Sequence, residues 1–172
     1  MANRPAADDG LVHFSEKLAG SAAFAALFRE GMDLVEETAG YLDGAGRVDA
    51  KTLDRAASLA YATESMRLTT RLMQLASWLL LHRAVKEGEM SLAQANREKV
   101  KVKLTAADPA AKEVLERLPA KLQDLVERSM GLQTRIRRLD STMHAPQPPT
   151  MAGSPLVSQL DRLKAAFENP RR

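Results

Sequence analysis

The feature that most constrains the fold is a long run without helix-breaking residues. No glycine or proline occurs between Gly46 and Gly88, and the run is rich in alanine and leucine, which favour helix. We therefore predict a helix over residues 50–87, which would extend about 57 Å. A first helix predicted over residues 22–43 would extend only about 33 Å. A single partner helix is therefore too short to cover the long one.

The middle of this run is apolar on nearly all sides. Residues 72–81 carry no charge, and eight of the ten are apolar, including the chain's single tryptophan. Because helical residues are spaced by 100°, such a segment must be enclosed on most sides. The predicted core or dimer face comprises Leu72, Leu75, Trp78, Leu79, Leu81 and His82. Its outer side would be covered either by a second copy of the chain, since two-fold homodimers are the commonest oligomers, or by residues 90–112 of the same chain.

A third helix and a covering loop complete the predicted domain. The third helix is predicted over residues 109–143, with a reset at Pro119. Residues 89–108 are interpreted as a covering loop, in which Ser91 could cap a short helical turn and Val100, Val102 and Leu104 alternate with lysines as in an extended chain. Along one face of the third helix, which we call its seam, residues recur in steps of four and three, and all but the serine are apolar: Leu118, Leu122, Leu125, Ser129, Leu132, Ile136, Leu139 and Met143. The predicted fold class is therefore all-α, a three-helix bundle over residues 21–143 with one very long central helix.

The two ends of the chain differ in composition from this domain. Residues 1–20 are weakly patterned and are predicted to form a disordered, mobile arm. Residues 144–172 are predicted to form a disordered tail, whose first part, HAPQPPTMAGSP, is rich in proline, as linkers are. Four later residues share one face of a short amphipathic helix: Leu156, Leu160, Leu163 and Phe167. A helix of this length is marginal alone in water, so this face is a candidate docking face.

No pattern typical of catalysis or of metal binding occurs in the sequence. The chain has no cysteine, which suits a reducing cytoplasm. Residues 41–52 have the turn glycine of a calcium loop but lack three of its key oxygen ligands. His13, His82 and His144 are far apart and have no second ligand at zinc-motif spacing. We therefore predict a protein that is not an enzyme and that holds no cofactor and no metal.

Charge and hydropathy argue against nucleic acid and membranes as partners. The formal net charge is only +3. Basic residues cluster at 97–103 and at Arg135, Arg137 and Arg138, but acidic residues lie nearby, so a solvated face is the favoured interpretation. The uncharged run is shorter than the roughly 20 apolar residues that a bilayer helix needs. The first residues, MANRPAADDGLVHF, carry acids where an export signal needs an apolar core, so a cytoplasmic protein is predicted.

A polar group interrupts the apolar pattern of the long helix. Glu64, Arg67 and Arg71 lie at positions i, i+3 and i+7, beside Thr69 and Thr70. Residues at these spacings share a helix face. The sequence leaves two interpretations open: a paired structural network, or a candidate polar patch that binds a partner protein.

Three stretches of the chain match a known family almost continuously. They are LFREGMDLVEETAGYLDGAGR at 27–47, SLAYATESMRLTTRLMQLASWLLLHRAVKEGEM at 58–90 and EKVKVKL at 98–104. They closely resemble the alphaproteobacterial family named regulator of CtrA degradation. The resemblance covers about half of the chain, and the residues from Thr105 onward match only in organisation, as a further helix and a tail.

That resemblance implies a cytoplasmic, dimeric three-helix bundle that acts as an adaptor and is not itself a protease. Members of the family help ClpXP, primed by a response-regulator-like adaptor, to receive substrates that include cell-cycle transcription factors. They are associated with recruitment to the cell pole. Two alternatives from other classes are a basic helical regulator that binds nucleic acid and a purely structural dimeric scaffold.

Overall fold

A computed structural model of the chain describes residues 21–101 and 110–143. All regular secondary structure in these two ranges is helical. The helices, in chain order, are α1 (Ala22–Asp43), α2 (Ala45–Lys51), α3 (Arg55–Lys86), α4 (Leu92–Lys101), α5 (Lys112–Leu115) and α6 (Ala120–Met143). The three long helices, α1, α3 and α6, pack against one another around one core. The predicted all-α three-helix bundle with one very long central helix is confirmed.

Local hydrogen bonds define both ends of α1. Ser21 Oγ accepts the N–H of Phe24 at 3.2 Å, which satisfies one of the unpaired donors at the start of the helix. At the other end, the N–H of Gly44 donates to the carbonyl oxygens of Gly40 and Tyr41. Helix α2 follows after this single residue, so the chain turns sharply between α1 and α2.

The start of α2 packs closely against its neighbours because Gly46 lacks a side chain. A Cβ atom at this position would lie 2.7 Å from the carbonyl oxygen of Tyr41 and 2.5 Å from the hydroxyl of Tyr61. Tyr41 is itself held by a hydrogen bond of 2.8 Å from its hydroxyl to Asp49 Oδ2. Burial, together with this carboxylate, raises the pKa of Tyr41 well above its usual range. The Tyr41 phenol therefore stays protonated and keeps its hydrogen bond to Asp49.

The prediction of one unbroken helix over residues 50–87 is wrong at its start. Helix α2 ends at Lys51, and α3 begins anew at Arg55. Two side chains compete with the helical backbone between them. Thr52 Oγ1 donates to the carbonyl of Asp49 at 2.7 Å, and Asp54 Oδ1 accepts the N–H of Ala57 at 2.8 Å as the N-cap of α3. Such local bonds favour a break over helix continuation. With 32 residues, α3 still extends about 48 Å.

The interpretation of residues 89–108 as a covering loop is wrong for half of that segment, because α4 occupies Leu92–Lys101, a ten-residue helix where the sequence suggested at most a short turn after Ser91. Ser91 Oγ accepts the N–H of Gln94 at 3.2 Å, and Gln94 Oε1 accepts the N–H of Ser91 at 2.9 Å. This reciprocal pair is a capping box, which starts a helix. The alternation of apolar residues and lysines toward residue 104 suggested extended chain, but the cap is the stronger local signal. Residues 102–109 lie outside the described residues.

The predicted third helix over residues 109–143 is divided in two. Helix α5 is a single turn, and α6 begins at Ala120, directly after Pro119. The carbonyl of Leu118, left without an amide partner at the break, accepts a hydrogen bond of 2.7 Å from Gln123 Nε2. The proline therefore separates two helices where the sequence predicted only a reset.

The core lies between α1, α3 and α6. Its buried apolar side chains include Phe24, Leu27, Leu34, Leu68, Leu72, Leu75, Trp78, Leu79, Leu122, Leu125, Leu132 and Ile136. Gly31 of α1 lets the three helices come close together. A Cβ there would lie 2.4 Å from Leu79 Cδ1 on α3 and 3.6 Å from Leu132 Cδ2 on α6.

Candidate interaction surfaces

Trp78 lies where four helices meet. Its side chain is 1% exposed, and its ring centroid lies 6.4 Å from that of Phe24 on α1 and 4.0 Å from that of His82 on α3. The indole Nε1–H donates to Asp140 Oδ1 on α6 at 2.9 Å. Asp140 also forms an ion pair with Lys99 on α4. One carboxylate therefore joins α4 and α6 to the tryptophan.

The residues predicted as the core or dimer face of the long helix lie mainly in the core of one chain. Leu72, Leu75, Trp78, Leu79 and His82 are buried, whereas Leu81 is partly exposed. Helices α1 and α6 cover two sides, and α4 packs along α3 as well. Of the two covers that the sequence left open, the segment of the same chain after Met90 packs along α3 in the structure and reaches Asp140, the hydrogen-bond partner of Trp78, through Lys99.

The polar group on α3 extends into the interior of the bundle. Glu64 is 3% exposed and Arg71 is 4% exposed, whereas Arg67 lies at the surface. Arg67 Nη1 donates to Glu64 Oε1 at 2.7 Å. Arg71 Nη1 donates across the core to Ser129 Oγ on α6, at 2.8 Å. The Arg71–Ser129 bond joins α3 to α6, whereas the Arg67–Glu64 bond lies within α3. The burial of Glu64 and Arg71 supports the structural interpretation for these two residues, and Arg67 is the member that a partner could reach.

The same network explains the polar residue in the seam of α6. Ser129 is fully buried, accepts the bond from Arg71 and donates its own hydroxyl to the carbonyl of Val126 at 2.7 Å. Burial lowers the pKa of Arg71, and the nearby Glu64 carboxylate opposes that effect. Arg71 Nε lies buried without a hydrogen-bond partner, so the serine is an important contact for this guanidinium.

A row of exposed apolar side chains runs along the outer face of α3. Leu59, Met66, Met73 and Leu80 are separated by seven residues each, and their exposed fractions range from 52% to 73%. We call these four residues the α3 stripe. Residues seven apart lie on nearly the same side of a helix, about two turns from one another. The sequence does not distinguish Met73 and Leu80 from their buried neighbours, because the run at residues 72–81 is apolar on nearly all sides; the seven-residue spacing was the available signal.

Charged side chains join α1 to α6 outside the core. Glu37 on α1 pairs with Arg128 Nη2 at 2.8 Å and with Lys121. Two helical turns away, Glu30 pairs with Arg135 through both of its carboxylate oxygens, one at 2.8 Å. Hydrogen bonds from Arg128 and Lys121 lower the pKa of Glu37 to about 2. The acids and the bases each recur every seven residues, so they fix the antiparallel register of α1 and α6.

The three arginines that suggested a nucleic-acid contact have different surroundings. Arg135 is engaged by Glu30, and that hydrogen bond raises its pKa further above its usual range. Arg137 and Arg138 are exposed on the last turns of α6. Between residues 110 and 143, the basic face of α6 is thus partly neutralised by α1, as a solvated structural face would be.

A cleft of about 390 Å³ lies between the first turns of α1 and the last turns of α6. We call it the α1–α6 cleft. Apolar and small residues form most of its wall, and charged residues stand at its rim. It is lined by Ser21, Ala23, Phe24, Ala26, Leu27, Glu30, Arg135, Arg138, Leu139 and Thr142. A cleft of this size can accept one or two large apolar side chains.

The predicted tail docking face, Leu156, Leu160, Leu163 and Phe167, lies outside the described residues. Within residues 21–101 and 110–143, no helix is both long enough and apolar enough to cross a membrane. The same ranges contain no group of three or more histidine, aspartate or glutamate side chains placed to hold a metal ion. The features that the described part of the chain does offer are contact surfaces: the α3 stripe, the α1–α6 cleft and Arg67.

These features define a small helical bundle with several separate contact surfaces. The family model described as "Protein of unknown function (DUF1465)" matches residues 15–167. The crystal structure of RcdA from Caulobacter crescentus CB15 is similar, with 53% sequence identity and a TM-score of 0.60. The similarity covers 72% of this chain and 92% of the RcdA chain. None of the curated proteins matches the chain.

The chain belongs to the DUF1465 family, which is the family of RcdA, the regulator of CtrA degradation. The family resemblance found in the sequence is therefore confirmed.

Proposed function

We propose that this protein is a non-enzymatic adaptor that helps deliver cell-cycle regulatory proteins to the ClpXP protease for regulated degradation. The observation that carries the proposal is the 53% identity with RcdA over 92% of that protein's chain. The name of that protein, regulator of CtrA degradation, places it in regulated proteolysis. In this proposal the cargo includes a cell-cycle transcription factor, and a response-regulator-like adaptor primes ClpXP for the complex.

The bundle has the separate binding surfaces that an adaptor needs. An adaptor raises the effective concentration of its cargo at the protease, and it needs at least two binding surfaces that can be occupied at once. The α1–α6 cleft and the exposed Arg67 belong to different helices and do not share residues. Two modest contacts on one rigid bundle would tether a cargo without any chemical step by the adaptor itself. The complex would form in the cytoplasm, with recruitment to the cell pole.

Reconstituted degradation tests this proposal. Purified ClpXP, the priming adaptor and a labelled cell-cycle transcription factor are mixed with and without the full chain, and loss of the cargo is followed with time. We expect the chain to accelerate that loss. A ClpXP substrate with its own strong degradation signal is the control, and its loss should not change. Equal rates of cargo loss with and without the chain would contradict the proposal.

A pull-down with proteolytically inactive ClpXP separates binding from degradation. The full chain is compared with a chain truncated after His144, because the tail carries a candidate docking face. Capture of the full chain that depends on the priming adaptor would support the proposal. Absence of capture for both forms would remove it.

We propose further that two copies of the chain associate through the α3 stripe. Four large apolar side chains on one face span about 32 Å of α3, since they cover 21 residues at 1.5 Å each. Small residues lie between them on the same face, among them Ala62 and Thr69, and would let a second helix approach closely. An apolar seam with seven-residue spacing is the pattern that helices bury against each other. The four residues of the stripe therefore fit the contact of a two-fold homodimer.

A further inference from the structure

The α1–α6 cleft lies where the chain leaves the bundle. Leu139 and Thr142 of its wall belong to the last two turns of α6, which ends at Met143. Whatever follows Met143 therefore starts beside the cleft. The candidate docking face of the tail begins at Leu156, after 12 intervening residues.

From this placement, we propose that residues 156–167 of the same chain dock in the α1–α6 cleft. The 12 residues between α6 and this segment include four prolines. At about 3.1 Å per residue in an extended proline-rich conformation, they reach about 37 Å, enough to turn back over the last turns of α6. A short tether also gives the segment a high effective concentration at the cleft, so a weak contact suffices.

The chemistry of the segment matches that of the cleft. Leu156, Leu160, Leu163 and Phe167 recur in steps of four, three and four, so in a helix they would form one apolar face. The cleft wall is apolar, through Phe24, Leu27 and Leu139, and its volume of about 390 Å³ suits one or two of these side chains. The matched family model extends to residue 167, so the whole segment lies within the sequence pattern of the family.

Charge at the rim favours the same occupant. Arg138 stands at the cleft with an exposed side chain. In a helix, Asp161 and Glu168 of the tail lie seven residues apart and therefore flank the same side of the apolar face. A carboxylate on that side would pair with Arg138 when the leucines enter the cleft.

Docking would also regulate the adaptor, and this part rests on the proposed function. A tail held in the cleft cannot offer the same leucines to another protein, and a cleft filled by the tail cannot receive a peptide from a partner. Release of the tail would expose two surfaces at once. The docking itself does not depend on ClpXP and is tested without it.

The lack of cysteine in the chain allows a direct test of docking. Ala23→Cys on the cleft wall and Gln159→Cys in the tail are introduced into the full chain, and the rate of disulfide formation within one chain is measured under mild oxidation. The matched comparison adds Leu160→Ser and Leu163→Ser, which remove the centre of the apolar face and keep the tether unchanged. We expect the rate to fall by about tenfold or more. A control that adds Arg162→Ser and Ala165→Ser, on the opposite side of the helix, should keep the original rate.

Three outcomes would overturn the proposal. The first is an equal rate with and without the two leucines. The second is a disulfide that forms only between chains, which would place the tail of a second copy in the cleft. The third is protection of residues 22–28 from hydrogen exchange that survives the two tail substitutions and is lost with Leu11→Ser and Phe14→Ser, which would make the N-terminal arm the occupant.

Capture by inactive ClpXP then tests the regulatory part. Ala23→Glu changes an exposed residue of the cleft and should repel the acidic side of the tail, whereas Ala39→Glu changes an exposed residue of α1 away from the cleft. We expect stronger capture of the first variant than of the second. Equal capture of both would overturn the regulatory part. Failure of every form to be captured, with disulfide formation still dependent on the leucines, would instead reject the adaptor function and keep the docking.

Discussion

Neighbouring residues of the uncharged run on α3 have opposite surroundings. Trp78 is buried beside Phe24 of α1 and donates to Asp140 of α6, whereas Leu80, two positions later, is half exposed on the α3 stripe. Two residues correspond to a rotation of about 200° on a helix, which is enough to move a side chain from the core to the surface. The side of the helix on which a residue lies, and not its hydrophobicity, therefore decides whether it is buried in the core or exposed at the surface.

Gly46 provides the first prediction at this scale. We expect Gly46→Ala to lower the free energy of unfolding by about 1–3 kcal/mol, because the new Cβ would press against the backbone oxygen of Tyr41 and the hydroxyl of Tyr61. Urea denaturation followed by circular dichroism measures the change. Gly40→Ala is the matched control, since a Cβ there meets no atom within 4 Å. That control should gain up to about 1 kcal/mol from helix propensity. A stable Gly46→Ala protein would show that α2 can move away.

Ser129 provides the second prediction. We expect Ser129→Ala to lower the free energy of unfolding by about 1–3 kcal/mol, because the buried guanidinium of Arg71 would lose an acceptor. Ser141→Ala removes the same atom from an exposed position on the same helix, where the hydroxyl bonds only to the backbone. The control should change stability by no more than a few tenths of a kcal/mol. Equal losses for both variants in urea denaturation would mean that Arg71 finds another acceptor.

At the scale of helices, apolar spacing in the sequence predicts which elements exist, and local caps decide where they begin. The spacing from Phe24 to Leu42 and along the seam of α6 locates two helices well, because a buried stripe must follow the helical period. The break before Arg55 and the start of α4 depend instead on single side chains, Asp54 and Ser91, whose bonds to nearby backbone outweigh the general pattern. Such residues also occur inside helices, so sequence alone does not decide between the two roles.

The pairing of α1 with α6 predicts a specific loss of stability in acid. Glu37 has its pKa lowered to about 2 in the folded protein, against an ordinary value of 4.5. Its contribution to stability is therefore present above the ordinary pKa and is lost as the pH falls from about 4.5 toward about 2. Glu37→Gln should flatten the pH dependence of the free energy of unfolding in this window, and salt should weaken the effect.

Urea denaturation at several pH values measures this dependence. Glu36→Gln, at the exposed neighbouring position, is the control and should keep the acid-dependent loss of the original chain. The same curve for Glu37→Gln and the original chain would show that Arg128 and Lys121 do not hold this carboxylate in solution.

At the scale of the whole molecule, the sequence was sufficient for the architecture but not for the assignment of faces. The difference in length between the predicted helices showed that α3 needs more than one neighbour, and α1, α4 and α6 supply them. Spacing alone did not show which of the apolar residues around α3 stay exposed, because that depends on where α4 returns to the bundle. The α3 stripe, the α1–α6 cleft and the partners of Arg71 all depend on residues far apart in the chain.

The oligomeric state is the prediction at this scale. We expect the full chain to sediment as a dimer at tens of micromolar and the double variant Met66→Glu, Met73→Glu to sediment as a monomer. Charges at the centre of a buried apolar seam would lack partners and would strongly disfavour association. Ala39→Glu, exposed on α1, should leave the dimer intact. A dimer that survives the double substitution would exclude the α3 stripe as the contact, and a monomeric original chain would exclude the dimer.

The environment of Trp78 makes intrinsic tryptophan fluorescence a probe of the bundle. It is the chain's one indole, so all tryptophan emission comes from the point where α1, α3, α4 and α6 meet. The emission maximum of tryptophan lies at shorter wavelength in a dry site, and it shifts to longer wavelength when water reaches the ring. Unbinding of α4 from the bundle, which breaks the ion pair between Lys99 and Asp140, would therefore be detectable as a shift of this maximum in an ordinary fluorimeter, without any attached dye.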